Sequence, residues 1–337
     1  DVDELLSACK TYADKTSRRI SFEYALIKGV ITKTTGLWYV VRGEDGNTYN
    51  CRLRGKFRIQ GIKNTNPAVV GDNITFLIEQ DGVGYITEIE KRKNYIDRKS
   101  TKLSKISHII AANIDIAFLV ITVSEPRTSL GFIDRFLVAA EGFRIPTCIV
   151  INKMDLYSDV ELELVEEYTN LYKSIGYEVI HTSVVEGRGM EELKLRMQGK
   201  VSLLSGHSGV GKSAIVNYIQ PDLQVKIGEI SRVHNKGKHT TTFAQMFPLD
   251  MGGYIIDTPG IKEFGLIQYS KEEVRDYFPE IRAFNNCCKF ANCLHQHEPA
   301  CQVIKAVEDG KIPISRYQNY LAILADDDMQ IEDWKLR

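Results

Sequence analysis

Among the 337 residues, the segment Gly206-His207-Ser208-Gly209-Val210-Gly211-Lys212-Ser213 fits the phosphate-loop pattern G-x4-G-K-[ST]. Glycines at this spacing let successive backbone N–H groups turn inward around phosphates, and a helix starting there adds partial positive charge at the same point. Lys212 is expected to reach the β- and γ-phosphates, and Ser213 to ligate Mg²⁺. Downstream, the apolar Tyr254-Ile255-Ile256 runs into Asp257-Thr258-Pro259-Gly260. There Asp257 points toward the metal and the Gly260 N–H can sense the γ-phosphate. Upstream, Asn152-Lys153-Met154-Asp155 follows the apolar Cys148 to Ile151. This N-K-x-D element lets the Asp155 carboxylate accept from guanine N1–H and N2–H₂ while the Lys153 stem covers the base. Adenine offers no such donor pair, so the nucleotide is expected to be GTP or GDP. Thr182-Ser183-Val184 then falls where backbone groups of Ser183 and Val184 would meet guanine O6.

These residues need a scaffold that brings distant loops to one edge. Ile114 to Val123 and Thr147 to Ile151 read as buried strands, and Phe132 to Phe143 is amphipathic. Strand and helix alternate from there to Thr258, which predicts a parallel α/β sheet at residues 107–267. The order is permuted, because N-K-x-D precedes the phosphate loop here and follows it in ordinary GTPases. Such a sheet still forms when the chain is opened elsewhere and the old termini are joined, since domain termini often lie close together.

Ahead of this domain, residues 28–92 carry short alternating apolar runs separated by turns such as Glu44-Asp45-Gly46-Asn47, which predicts a small OB-like barrel. Between Leu26 and Asn66 eight basic residues, among them Arg52, Arg54 and Lys56, face two acids, with Trp38, Tyr39, Tyr49 and Phe57 interleaved. That mixture suits phosphates and stacked bases. A basic connector spans residues 93–106, continuing a run that includes Arg92, Lys93, Arg98 and Lys99. Residues 1–27 read as an N-terminal extension, a helix followed by an alternating strand.

Behind it, residues 268–337 hold four of the seven cysteines between Cys287 and Cys301, together with His295 and His297. Three thiolates and one imidazole within so short a loop suit closed tetrahedral Zn²⁺ of a structural kind. Flanking helices are expected over Lys271 to Phe278 and Ile314 to Leu324.

With 43 Lys+Arg against 44 Asp+Glu the net charge is -1, so affinity for a polyanion must come from local patches. The longest apolar run, Ile116 to Ile121, is far below the roughly 18 residues that span a bilayer. A cytoplasmic protein with no membrane contact, acting as a monomer, is the expectation.

The permuted order, the basic barrel before it and the cysteine cluster behind it resemble the RsgA/YjeQ family of small-subunit-dependent GTPases over roughly residues 28 to 325. Gly237-Lys238-His239-Thr240-Thr241-Thr242 adds to the likeness. The resemblance implies a late-stage assembly factor that binds the 30S ribosomal subunit and its rRNA, is activated there, and leaves after hydrolysis. It also selects Cys288, Cys293, His295 and Cys301 as the zinc ligands over Cys287 and His297. Many GTPases carry a glutamine after the Asp-x-x-Gly glycine to orient the attacking water, but Ile261 stands here. The family motif puts His239 in that role and Thr241, or Thr240, on Mg²⁺. Other readings are a permuted GTPase acting on another ribonucleoprotein such as the large subunit, and an RNA scaffold that binds GTP without turnover.

Overall fold

The computed structural model describes residues 2–17, 26–54, 67–79, 82–99, 107–221, 223, 244–257 and 269–325. Helix α1 (Val2–Thr16) opens the chain. The strand expected after it lies largely outside the described residues.

Strands β1 (Ile27–Thr35), β2 (Trp38–Gly43), β3 (Thr48–Leu53), β4 (Asn73–Ile78) and β5 (Gly84–Ile89) form the barrel. Antiparallel β1–β4 and parallel β3–β5 pairings close it. Ile31, Tyr39, Val41, Cys51, Ile74, Phe76 and Ile86 fill its centre. Closure needs a residue without a side chain at Gly84, where a Cβ would stand 2.4 Å from Cys51 Sγ.

Part of the expected connector is strand: β6 (Tyr95–Lys99) pairs antiparallel with β7 (Ser107–Ala112). Its basic lead-in is partly committed to structure. Arg92 donates from Nε and Nη2 to the fully buried Asp72 carboxylate at 2.6 and 2.7 Å, and Lys93 pairs with Asp115. An arginine fork satisfying a buried carboxylate on both oxygens is among the stronger surface-to-core ties.

The α/β domain contains β8 (Ile116–Ile121), α2 (Leu130–Gly142), β9 (Thr147–Ile151), α3 (Asp159–Ser174), β10 (Glu178–His181), α4 (Met190–Met197), β11 (Val201–Ser205), α5 (Lys212–Ile219), β12 (Gln245–Pro248) and β13 (Tyr254–Asp257). Strand order is β10-β9-β8-β11-β13-β12, parallel throughout except for β12. Every residue of β8 is buried, as its unbroken apolar run requires of a strand covered on both faces. Lys33 of β1 pairs with Gln245 of β12, joining barrel and α/β domain into one 11-stranded sheet.

The C-terminal region has α6 (Lys271–Asp276), α7 (Pro279–Arg282), α8 (Gln302–Glu308) and α9 (Ile314–Ala325) around its own core, which Val138 of α2 also enters. The first helix is shorter than the expected Lys271 to Phe278. Proline has no N–H to continue an earlier turn, and Pro279 starts α7 instead. Among the described residues no helix is long and apolar enough to cross a membrane.

Candidate functional site

The phosphate loop lies between β11 and α5, anchored by the fully buried Val210 while Ser208 and Gly209 stay exposed. Gly211 has φ 98°, and a Cβ there would meet the Asn152 amide nitrogen at 2.3 Å. A glycine is therefore required twice over, by backbone conformation and by the neighbour. Lys212 Nζ donates to the carbonyls of Gly206 and His207, both at 2.6 Å, so the ammonium is held over the loop. Ser213 is exposed on the first turn of α5.

Asn152, 2% exposed, joins three segments. Its Nδ2 donates to the Val210 carbonyl at 2.9 Å, and its Oδ1 accepts from Thr182 Oγ1 at 2.9 Å. Lys153 takes a left-handed backbone (φ 66°), and its Nζ donates to the Glu125 carbonyl at 2.6 Å. Asp155 is half-buried and accepts from Ser183 Oγ at 2.5 Å, leaving its second oxygen for a ligand. Val184 packs against a buried apolar cluster that includes Phe118, Val120, Val150 and Ile180. The sheet thus brings Asn152, Lys153, Asp155, Ser183 and Val184 to the same edge as Gly206 to Ser213.

Register places one further element there. Parallel pairing aligns Leu203 with Ile256, so the backbone of Asp257 leaves β13 beside the end of β11, where the phosphate loop begins. The Asp257 side chain, Gly260, His239 and Thr241 lie outside the described residues.

In the C-terminal region, Cys288 Sγ, Cys293 Sγ, His295 Nδ1 and Cys301 Sγ all lie within 4.8 Å of one another. Separations are 3.9 Å for Cys288–Cys301, 3.8 Å for Cys293–Cys301, 3.6 Å for Cys288–His295 and 3.3 Å for His295–Cys301. A tetrahedron with bonds of about 2.3 Å has edges of roughly 3.8 Å, so the set fits a zinc-sized ion. Cys287 is exposed and outside the cluster. Asn285 donates from Nδ2 to Asp276 at 2.7 Å, so its Oδ1 accepts from His295 Nε2–H at 2.9 Å. That leaves Nδ1 bare toward the sulfurs, the usual way an outer partner sets a ligand's tautomer. Burial lowers the His295 pKa to about 4, keeping the ring neutral, and pushes the Cys293 thiol up to about 12, a cost that a bound cation offsets. Burial also works against charge on Glu298, but backbone N–H groups including those of Leu294, Gln296 and His297 hold its carboxyl down at about 2.

Sequence reading missed several supporting residues. Tyr157 donates to the Asn152 carbonyl at 2.6 Å, and nothing in its local pattern distinguishes it from a core tyrosine. Asp134 did leave a signal, as an acid inside the apolar stripe of α2. It is fully buried, accepts from Tyr172 Oη at 2.8 Å, and pairs at 2.7 Å with the equally buried Arg316 of α9.

A guanine loop and a phosphate loop tied together on one parallel sheet, in permuted order and flanked by an OB-like barrel and a Cys₃His cluster, define a circularly permuted GTP-hydrolysing protein. The model of the RsgA N-terminal domain matches residues 28–86, and that of the RsgA GTPase matches residues 89–267. The chain is 51% identical over 300 residues to "Small ribosomal subunit biogenesis GTPase RsgA 2" of Bacteroides thetaiotaomicron, covering 89% of this chain and 97% of the relative. It is 48% identical over 314 residues to the RsgA of Christiangramia forsetii, covering 92% and 100%. Among solved structures it is similar to YjeQ from Thermotoga maritima, with TM-score 0.73, 37% identity, and 90% and 98% of the two chains covered. It is also similar to YloQ, described as a circularly permuted GTPase, with TM-score 0.71, 31% identity, and 95% and 100% covered. The chain belongs to the RsgA GTPase family.

Proposed function

We propose that this chain is a biogenesis factor of the small ribosomal subunit, which binds the 30S particle and its rRNA, hydrolyses GTP when the particle activates it, and departs in the GDP form. The observation that carries this reading is the Asn152–Val210 bond, which closes a guanine loop onto a phosphate loop in the permuted order. Its setting is a chain whose near full-length relatives are named small ribosomal subunit biogenesis GTPases.

In this reading Asp155 accepts from guanine, Lys153 covers the base, and Ser183 and Val184 present backbone groups to O6. Asn152 holds these pieces together. The N–H groups from Gly206 through Ser213 turn toward the phosphates, with Lys212 at the β- and γ-oxygens. Ser213 and Thr241, with Asp257, would hold a Mg²⁺ ion, which would supply charge neutralisation at the phosphates. The Gly260 N–H senses the γ-phosphate. His239 orients the attacking water, the task that Ile261 cannot perform. Cys288, Cys293, His295 and Cys301 would hold Zn²⁺, and a set of four protein ligands would give the ion a structural part, stabilising the fold.

The barrel at 28–92 grips rRNA, the connector at 93–106 leads to the GTPase domain at 107–267, and the zinc-binding domain occupies 268–337. Residues 1–27 are an extension. Support for rRNA contact is the Arg52 guanidinium stacked 3.7 Å from the Trp38 ring centroid, a basic-aromatic pair suited to nucleic acid. The protein works in the cytoplasm as a monomer.

Single-turnover GTP hydrolysis with and without purified 30S subunits tests the proposal. Acceleration on the scale of roughly 10³-fold, the lower range for an activating partner, is expected. Equal rates with and without 30S, together with no co-sedimentation, overturn it.

A further inference from the structure

We propose that Phe132, Asp134 and Asn319 are positioning residues that couple the phosphate loop to the Cys₃His cluster, so that nucleotide and zinc alter one another's affinity through α2 and α9. The inference rests on the nucleotide and zinc binding proposed above.

The path consists of direct contacts joined by short stretches of the α2 and α9 helices. Lys212 Nζ donates to the His207 carbonyl at 2.6 Å, and the His207 ring lies against the Phe132 ring with centroids 3.8 Å apart and planes tilted by 31°. Phosphates held by the loop's N–H groups bear on the peptide planes that carry His207, and so on its seat against Phe132. Two residues further along α2, Asp134 accepts from Asn319 Nδ2 at 2.6 Å and pairs with Arg316 at 2.7 Å. Arg316 also donates to Glu280 of α7 at 2.7 Å. On the same α9 helix, the hydroxyls of Tyr317 and Tyr320 donate to the carbonyls of His295 and Leu294, each at 2.6 Å. The path therefore runs from a phosphate-loop residue to a metal ligand through these contacts and the two helices that carry them.

Burial is what makes these contacts stiff. Asp134 and Arg316 are both fully buried, so neither can turn to water if its partner shifts, and a displacement of α2 must be passed on to α9. Packed networks of this kind carry coupling when both ends bias the same element, here the α2–α9 pair. A coupling between two ligands is reciprocal by thermodynamic necessity, and that gives the test.

On the full chain, zinc affinity is measured by chelator competition with and without saturating GDP. The affinity for a fluorescent GDP is measured on the zinc-loaded and the zinc-stripped protein. In wild type the two ratios should be equal and about fivefold or more, in either direction. Phe132→Leu keeps apolar bulk but removes the ring on which His207 rests, and Asn319→Ala removes one donor to Asp134 while leaving Arg316 in place. Both variants should bind each ligand, show a cooperative thermal transition, and have ratios close to one. Wild-type ratios of one with both ligands bound overturn the coupling and leave the proposed function standing. Full wild-type ratios in both variants show that any coupling runs elsewhere and overturn the assignment of these residues. Failure of the wild type to bind GDP or zinc overturns this inference and the function it rests on together.

Discussion

The side-chain amide of Asn152 occupies the space that a side chain at position 211 would need, and from there donates to the Val210 carbonyl at 2.9 Å. The guanine loop and the phosphate loop are 58 residues apart at this bond, yet each shapes the other.

Gly211→Ala should therefore fail at both loops. The left-handed backbone costs about 1–3 kcal/mol for a residue with a Cβ, and the Asn152 amide must also give way. GDP affinity measured by titration should fall by at least tenfold while the thermal transition remains cooperative. Unchanged affinity would mean that the contact has no bearing on the nucleotide.

Asp155→Asn should weaken guanine nucleotides and favour xanthosine nucleotides, because an amide presents a donor where guanine needs an acceptor. A lost hydrogen bond to a charged group is worth about 1.5–3 kcal/mol, or roughly ten- to hundredfold in affinity. Parallel titrations of GDP and XDP check this.

His239→Ala should bind GTP nearly as well as wild type and lose most of its 30S-stimulated hydrolysis, since the histidine is assigned to the water and not to the nucleotide. Stimulated turnover that survives the change removes His239 from the mechanism.

Arg316→Met should destabilise the protein by about 3–5 kcal/mol, because it leaves two buried carboxylates without their cation. Arg316 is 0% exposed between Asp134 and Glu280. Adding Asp134→Asn and Glu280→Gln removes the stranded charges and should recover much of the loss. Urea unfolding midpoints of the single and triple variants decide the matter.

Neutralising Arg52, Arg54 and Lys56 together should weaken 30S co-sedimentation and flatten its salt dependence, each lost phosphate contact lowering the slope by about 0.7 for single-stranded RNA. GDP affinity should not change. Arg54 pairs with Glu79 at 3.0 Å on the exposed surface, so its share should be smaller than that of Arg52. Equal slopes for wild type and variant would confine these residues to a solvated face.

The segments that meet at the candidate sites were legible in the chain itself, because a phosphate-loop pattern, an N-K-x-D element and a tight cysteine cluster are local. Their spacing determines which backbone groups or thiolates can converge, and Gly206 to Ser213 or Cys288 to Cys301 needs no distant partner to be recognised. Period-two alternation likewise announced the barrel, and the near-continuous apolar stretch Ile114 to Val123 announced a buried strand. Three-dimensional folding decided what the chain pairs across long separations. Asn152 with Val210, Lys33 with Gln245 and Asp134 with Arg316 carry no mark in sequence of belonging together. A charge inside an apolar stripe shows only that a partner is required. Its identity is set by the helix that packs against it, and that helix lies far along the chain.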